Sequence, residues 1–442
     1  PIGARTTRSS RGGPAMTRLK LATADTFRSL QHRNYRLFFY GQAVSFTGTW
    51  LQLIAQTLLV LRLTDSGTAL GLLTAIQFAP TLVLGAWAGV VIDRHDKRRL
   101  MTVTTSAMLL AALTLGLLVL TDQAALWSVY ALAGVLGLAN TFDNPARRSL
   151  VNDLVPADEV GNAVGLTSTL VTGAKLIGPA IAGILVATVG IGWCFIVNAL
   201  SFVAVLVALW QMDPDSLRSS PPLRRAKGQL RDGLRYAWSV DDVRTPLLLI
   251  AVVGTLSFNF QVLFPLLAQR ELGGTETTYT VITTIFSVGS VAGSLALARR
   301  RALDTAFLGR MAVLLGLASL GLAVAPSVLT VGLVGVVAGY AGIGVLSGSN
   351  AVIQLTTAPE MRGRMMALFA VVFLGSTPIG GPISGWMAEA YGTRSGFVLG
   401  AVAALAAGTW VLVPRVRATA EVEQPPGQPV ASPVALQSGG AS

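Results

Sequence analysis

Three ionisable side chains, Asp143, Lys175 and Glu389, fall within long apolar runs of this 442-residue chain. A charge in such surroundings is costly unless it is paired, hydrated or neutralised, so each is a candidate for exchanging a proton or an ion-pair partner. Lys175 shares a helical face with Ser168 and Thr172, which turns it toward an interior. Asp143 and Lys175 are therefore the candidate coupling residues. Glu389 and Glu271, near the ends of their runs, read as fixed ion pairs or interfacial charges. Bond-breaking chemistry has no comparable constellation. Cys194 is the sole cysteine, His32 and His95 lack catalytic neighbours, and no G-x4-G-K-S/T stretch exists to hold a nucleotide. The chain reads as a non-enzyme with no metal and no other cofactor.

The elements that place these residues follow from composition. Hydrophobic residues make up 52% of the chain and charged residues 12%, with a mean hydropathy of +0.63, far from the range of soluble domains. Apolar runs of about 18 residues or more mark membrane-crossing helices. They are expected over 37–61, 70–92, 100–120, 125–142, 163–188 and 190–210, then 247–270, 279–298, 308–325, 328–350, 366–391 and 395–413. The expected fold class is an all-α membrane protein of twelve transmembrane helices in two six-helix bundles, 34–210 and 246–414. A disordered N-terminal segment (1–33), a polar linker (211–245) and a disordered tail (415–442) complete it, with Met16 a candidate native start. In the linker, Leu230, Leu234, Tyr236, Ala237 and Trp238 alternate with Arg231, Asp232 and Arg235, the pattern of a short amphipathic helix on the membrane surface or of a solvated connection.

The formal charge of +12 reports topology, not a nucleic-acid partner. With the N-terminus in the cytosol, 29 of the 33 bases fall in cytosolic segments; only Arg62, Arg270 and Arg394 face the other side. That asymmetry follows the positive-inside rule for an even number of spans with both termini cytosolic. The bilayer is thus one partner, and the abundance of Gly, Ala and Arg suits a bacterial plasma membrane.

Polar stripes mark a path through the apolar walls. In the first span Gln42, Ser45, Thr49, Gln52 and Gln56 step by three and four along one helical face. Thr280, Thr283, Ser287, Ser290 and Ser294 form a second ladder, although hydroxyls can bond their own helix. Asn140 with Asp143 and Arg147, Asn259 with Gln261, and Asn350 with Gln354 add amides elsewhere. The halves also repeat weakly: Pro156 aligns with Pro359, and Gly178-Pro179 with Gly381-Pro382, both 203 residues apart.

Between the second and third spans, Gly89, Asp93, Arg94, Asp96, Lys97, Arg98 and Arg99 crowd into one short loop. The spacing resembles the G-x-x-x-D-R-x-G-R-K/R signature of the major facilitator superfamily. Asp96 stands where the general pattern has glycine, as in a drug-efflux branch that includes siderophore and macrolide exporters. In the fifth span, Gly165, Ala174, Gly178, Pro179, Ala182 and Gly183 resemble the G-x8-G-x3-G-P-x2-G-G signature of exporters, with two glycines replaced by alanine. Small residues here permit close helix packing and Pro179 permits a bend.

The resemblance implies two parallel six-helix halves, with a substrate path lined by the first, fourth, seventh and tenth helices. It implies a monomeric secondary transporter that exports an amphipathic small molecule, such as an antibiotic or siderophore, on the proton gradient. Asp93 would then be a gate residue, bonding a helix N-terminus or Arg147 or Arg148 when the inner side is closed. The usual fourth-span arginine is absent, its place taken by Ala133. Import of a small metabolite is the alternative; a membrane-embedded enzyme would need a catalytic cluster that the sequence does not supply.

Overall fold

The computed structural model describes residues 26–217, 229–300 and 302–413, apart from the side chains of Ala86, Asp93, Gln229, Leu230 and Arg231. The expected disorder of the N-terminal segment before residue 26, and of the tail after 413, lies outside the described residues, as does the middle of the linker. Among those described, every regular element is helical. The first half comprises α1 (Arg33–Thr64), α2 (Gly67–Arg94), α3 (Lys97–Leu120), α4 (Leu126–Leu154), α5 (Val160–Thr188) and α6 (Ile191–Gln211). A short linker helix, α7 (Gln229–Ser239), leads to a broken span made of α8 (Asp241–Leu256) and α9 (Phe260–Leu266). Then follow α10 (Glu276–Ala298), α11 (Thr305–Val324), α12 (Val328–Thr356), α13 (Pro359–Tyr391) and α14 (Thr393–Leu412).

Eleven of the twelve crossings are long and apolar enough to be recognised as spans by composition. The exception, α4, carries Asn140, Asp143, Asn144 and Arg147 in its second half, yet it packs between α2 and α3 like any other crossing. Helical backbone satisfies its own hydrogen bonds, which is why these segments can lie in hydrocarbon at all. Short turns are closed by side-chain caps. Asp96 accepts from Arg99 N at 3.0 Å, Ser66 from Ala69 N at 3.3 Å and Asp304 from Phe307 N at 2.7 Å. Asp96, the departure from the glycine of the loop signature, is thus the N-cap of α3.

The seventh crossing is interrupted at Ser257–Asn259. Ser257 Oγ donates to Gly400 O at 2.6 Å and Asn259 Nδ2 to Thr255 O at 2.7 Å, so tertiary and local bonds replace part of the lost helical ladder. A side chain on Gly380 would overlap the Thr255 carbonyl, which brings α13 against the break. After α9 the chain widens into a π turn, Leu267–Glu271, that carries Arg270.

Two seams join the halves. Along the first, α2 meets α13 through backbone: Gly67 faces Gly385, and Gly71 faces Gly381 and Pro382, with no room for a Cβ at Gly67, Gly71 or Gly385. Along the second, α5 meets α10, where Gly183 rests on Thr280. Both seams are tightest near the end of the bundle that holds the turns at 65–66, 189–190 and 272–275. Toward the opposite, base-rich end, Gly161, Gly165 and Gly173 of α5 face open space.

Candidate functional site

A cavity of about 290 Å³ lies at the level where the seams loosen. Its polar lining comes from Thr49, Gln52 and Gln56 of α1, Gln77 and Thr81 of α2, Asn140, Asn144 and Arg147 of α4, Asn198 of α6 and Gln261 of α9. Phe46, Trp50, Phe78, Phe202 and Leu374 supply apolar wall. The amides are held by one another. Asn198 Nδ2 donates to Gln52 Oε1 at 2.5 Å, and Gln77 Nε2 to Gln56 Oε1 at 2.9 Å. Ser201 Oγ donates to Asn198 Oδ1 at 2.9 Å and thereby orients that amide. The arrangement leaves Gln52 Nε2 and Gln56 Nε2 buried with no protein partner.

Asp143 and Arg147 form an ion pair one helical turn apart on α4. Asp143 is wholly buried and also accepts from Thr104 Oγ1 at 3.0 Å and Thr105 Oγ1 at 3.5 Å. Arg147 reaches the cavity, its guanidinium 4.9 Å from the Phe46 ring centre and its Nε unpartnered. Lys175 does not join this pair; its Nζ sits 5.8 Å from the centre of the Trp50 ring.

The sequence-derived path residues separate into two groups. Thr49, Gln52, Gln56, Asn140 and Gln261 line the cavity. Gln42 and Ser45 are buried in the packing of α1. Asn259 caps the break in the seventh crossing, and Asn350 accepts from Gln354 Nε2 at 2.7 Å on α12, so neither lines it. The α10 ladder is satisfied internally: Thr283, Ser287 and Ser290 donate to carbonyls four residues back. Of the small residues, Gly178-Pro179 lies where Gly178 abuts Trp50, and Gly183 and Gly381-Pro382 lie in the seams. Gly165 has no atom within 4 Å of where a Cβ would stand, so it packs against nothing in this conformation. At the base-rich end Gly89 and Arg94 close α2, and Arg98 donates to Leu209 O at 2.6 Å and Trp210 O at 3.0 Å. Lys97 pairs with Asp153 at 2.6 Å. The Asp93 side chain lies outside the described residues.

Sequence reasoning missed Gln77, Asn144 and Asn198, although a lone amide in an otherwise apolar run such as α6 is itself a signal. It also missed a cluster that shuts one end. Arg270 binds the Asp65 carbonyl, Asp65 Oδ1 at 3.4 Å and Glu389 Oε2 at 3.3 Å. Glu389 accepts from Gly67 N at 2.8 Å, at the N-terminus of α2, where the exposed N–H groups favour a negative charge. Arg62 pairs with Glu276 at 2.8 Å. These contacts tie the first half to the second. Glu271 instead pairs with Arg394 at 2.9 Å inside the second half. Among the described residues no ion pair joins the halves at the base-rich end.

Two packed six-helix halves clasped at one end, with a polar cavity lined mainly by the first, have the architecture of the major facilitator type. The family model described as transmembrane secretion effector matches residues 24–439, and the chain belongs to that family. It is 24% identical over 392 residues to macrolide efflux protein A of Streptococcus pyogenes, covering 84% of this chain and 94% of that one. It is 23% identical over 417 residues to the multidrug efflux pump Tap of Mycobacterium tuberculosis, covering 90% and 97%. The match to the staphyloferrin A transporter of Staphylococcus aureus is 26% over 269 residues, 59% of this chain and 66% of that protein, just under two thirds of its length. In fold it is similar to an inward-facing, unoccupied bacterial homologue of the human lysosomal transporter Spinster, with a TM-score of 0.67 at 16% identity over 86% of this chain and 95% of that one.

Proposed function

We propose that the protein exports amphipathic small molecules across a bacterial plasma membrane by alternating access, driven by the proton gradient. The observations that carry this reading are a polar cavity lined mainly by the first half and reached by Gln261 and Leu374 of the second, and polar contacts that tie the two halves together, Arg62–Glu276 and the Arg270–Asp65–Glu389 cluster. Rocking of residues 34–210 against 246–414 would break those contacts and open the other side. The positive-inside rule assigns the clasped end to the exterior and both termini to the cytosol, so this conformation faces inward. Direction rests on the relatives, which are named for efflux of macrolides and of multiple drugs. The monomer is taken as the working unit, as the family resemblance implies.

Coupling is assigned to Asp143, with Lys175 beside the opposite wall. Protonation of Asp143 would release Arg147, and the freed guanidinium would then need a new partner in the cavity. Asp93 is assigned to the inner gate. The test is accumulation of a panel of fluorescent amphipathic compounds in cells with and without the protein. Lower accumulation that a protonophore restores to the control level is the expected result. Higher accumulation in expressing cells would establish import and overturn the direction; protonophore-insensitive export would overturn proton coupling.

A further inference from the structure

We infer that the cavity selects amphipaths bearing an anionic, oxygen-rich group and discriminates against lipophilic cations. This rests on the reading above only in taking the cavity as the translocation site. Among the described residues, no carboxylate lines it and Arg147 is its one ionisable lining residue. The balancing Asp143 is wholly buried behind Arg147, bonded to Thr104 and Thr105. A ligand therefore meets Arg147 and not the carboxylate. Lys175 stands beyond the Trp50 wall and forms no ion pair among the described residues.

The neutral groups point the same way. Gln52 and Gln56 are only 4% and 1% exposed, and their carbonyl oxygens are occupied by Asn198 and Gln77. Each keeps a buried N–H with no acceptor beside the cavity wall. Buried donors gain most from acceptor oxygens. The face of Trp50, where an aromatic site would hold a cationic ligand, is already engaged by Lys175. A carboxylate or a cluster of carbonyl and hydroxyl oxygens satisfies Gln52, Gln56 and Arg147 together; a quaternary or protonated amine satisfies none of them.

Two dyes with the same xanthene core separate the alternatives: fluorescein, a carboxylate anion, and rhodamine 6G, an esterified cation. Binding to the full chain in lipid nanodiscs is read by fluorescence anisotropy. Fluorescein is expected to bind about tenfold more tightly or better, about one bidentate charge-assisted contact's worth of discrimination. Lys175→Met should weaken fluorescein severalfold without weakening rhodamine 6G, and Gln56→Glu should reverse the preference. Equal affinities, tighter rhodamine 6G or no saturable fluorescein binding to the wild-type chain overturns the inference, and the wild-type comparison stands even where a variant fails to fold. Because binding to purified protein is blind to direction, anion selectivity without lowered accumulation in cells would sink the export reading and leave this one intact.

Discussion

Asp143 is held by three donors on two helices, and a group so completely partnered is one whose loss is felt twice, in packing and in charge. Removing one member of a buried pair costs about 3–5 kcal/mol because the other is left uncompensated. Asp143→Asn keeps the shape and the threonine contacts but leaves Arg147 unpaired. The expected outcome is a less stable transporter whose residual export no longer responds to a protonophore; export that stays protonophore-sensitive would remove Asp143 from the coupling scheme. At the clasp, Arg270→Gln removes both carboxylate contacts at once. Thr74→Cys, just inside the α2–α13 seam against Gly381, should then be labelled severalfold faster by a membrane-impermeant maleimide added outside. Unchanged labelling would show that Arg270 does not hold that end shut. Gln52 and Gln56 were legible because their spacing repeats the helical turn. The clasp was not, since its partners lie 205, 119 and 322 residues apart and nothing local announces them.

At the scale of elements, glycine has opposite meanings in two places. On α13, a side chain at Gly385 would overlap the backbone of Gly67, whereas Gly165 on α5 looks into space. Gly385→Leu should therefore push α2 and α13 apart and lower thermal stability by about 1–3 kcal/mol, the usual cost of overpacking. Gly165→Leu should leave the melting temperature nearly unchanged while slowing export, on the proposal that the opposite conformation packs a neighbour against the open face of Gly165. Melting temperature and export rate, measured on both variants, check this; a destabilised Gly165→Leu would mean that α5 is already packed there. The apolar runs placed all twelve crossings, but α4 continues to Leu154, well past the expected end at 142, because its second half is polar and carries no hydropathy signal. The break at Ser257–Asn259 escaped notice because no proline stands there. Gly380 and Gly400, which belong to other helices, lie directly against it, so the break is a matter of tertiary packing that the local sequence does not spell out.

For the whole molecule, hydropathy and the distribution of bases were enough for an all-helical, twelve-span chain, because lipid forces each span to satisfy its own backbone. The cavity was only half legible. A stripe on one helix reveals a face, but which of Gln261, Asn259 and Asn350 shares that space depends on how two halves lean together, and in this conformation only Gln261 does. One consequence of the clasp reaches beyond the protein. Its outermost members, Arg62 and Asp65, have side chains 56% and 75% exposed, so ions of the surrounding medium reach them directly. Exposed pairs weaken as ionic strength shortens the reach of a charge to about 10 Å at 0.1 M and less beyond. With the proposed orientation, the medium outside the cell becomes a term in the equilibrium between the two conformations: each rise in salinity should make the clasped one easier to leave.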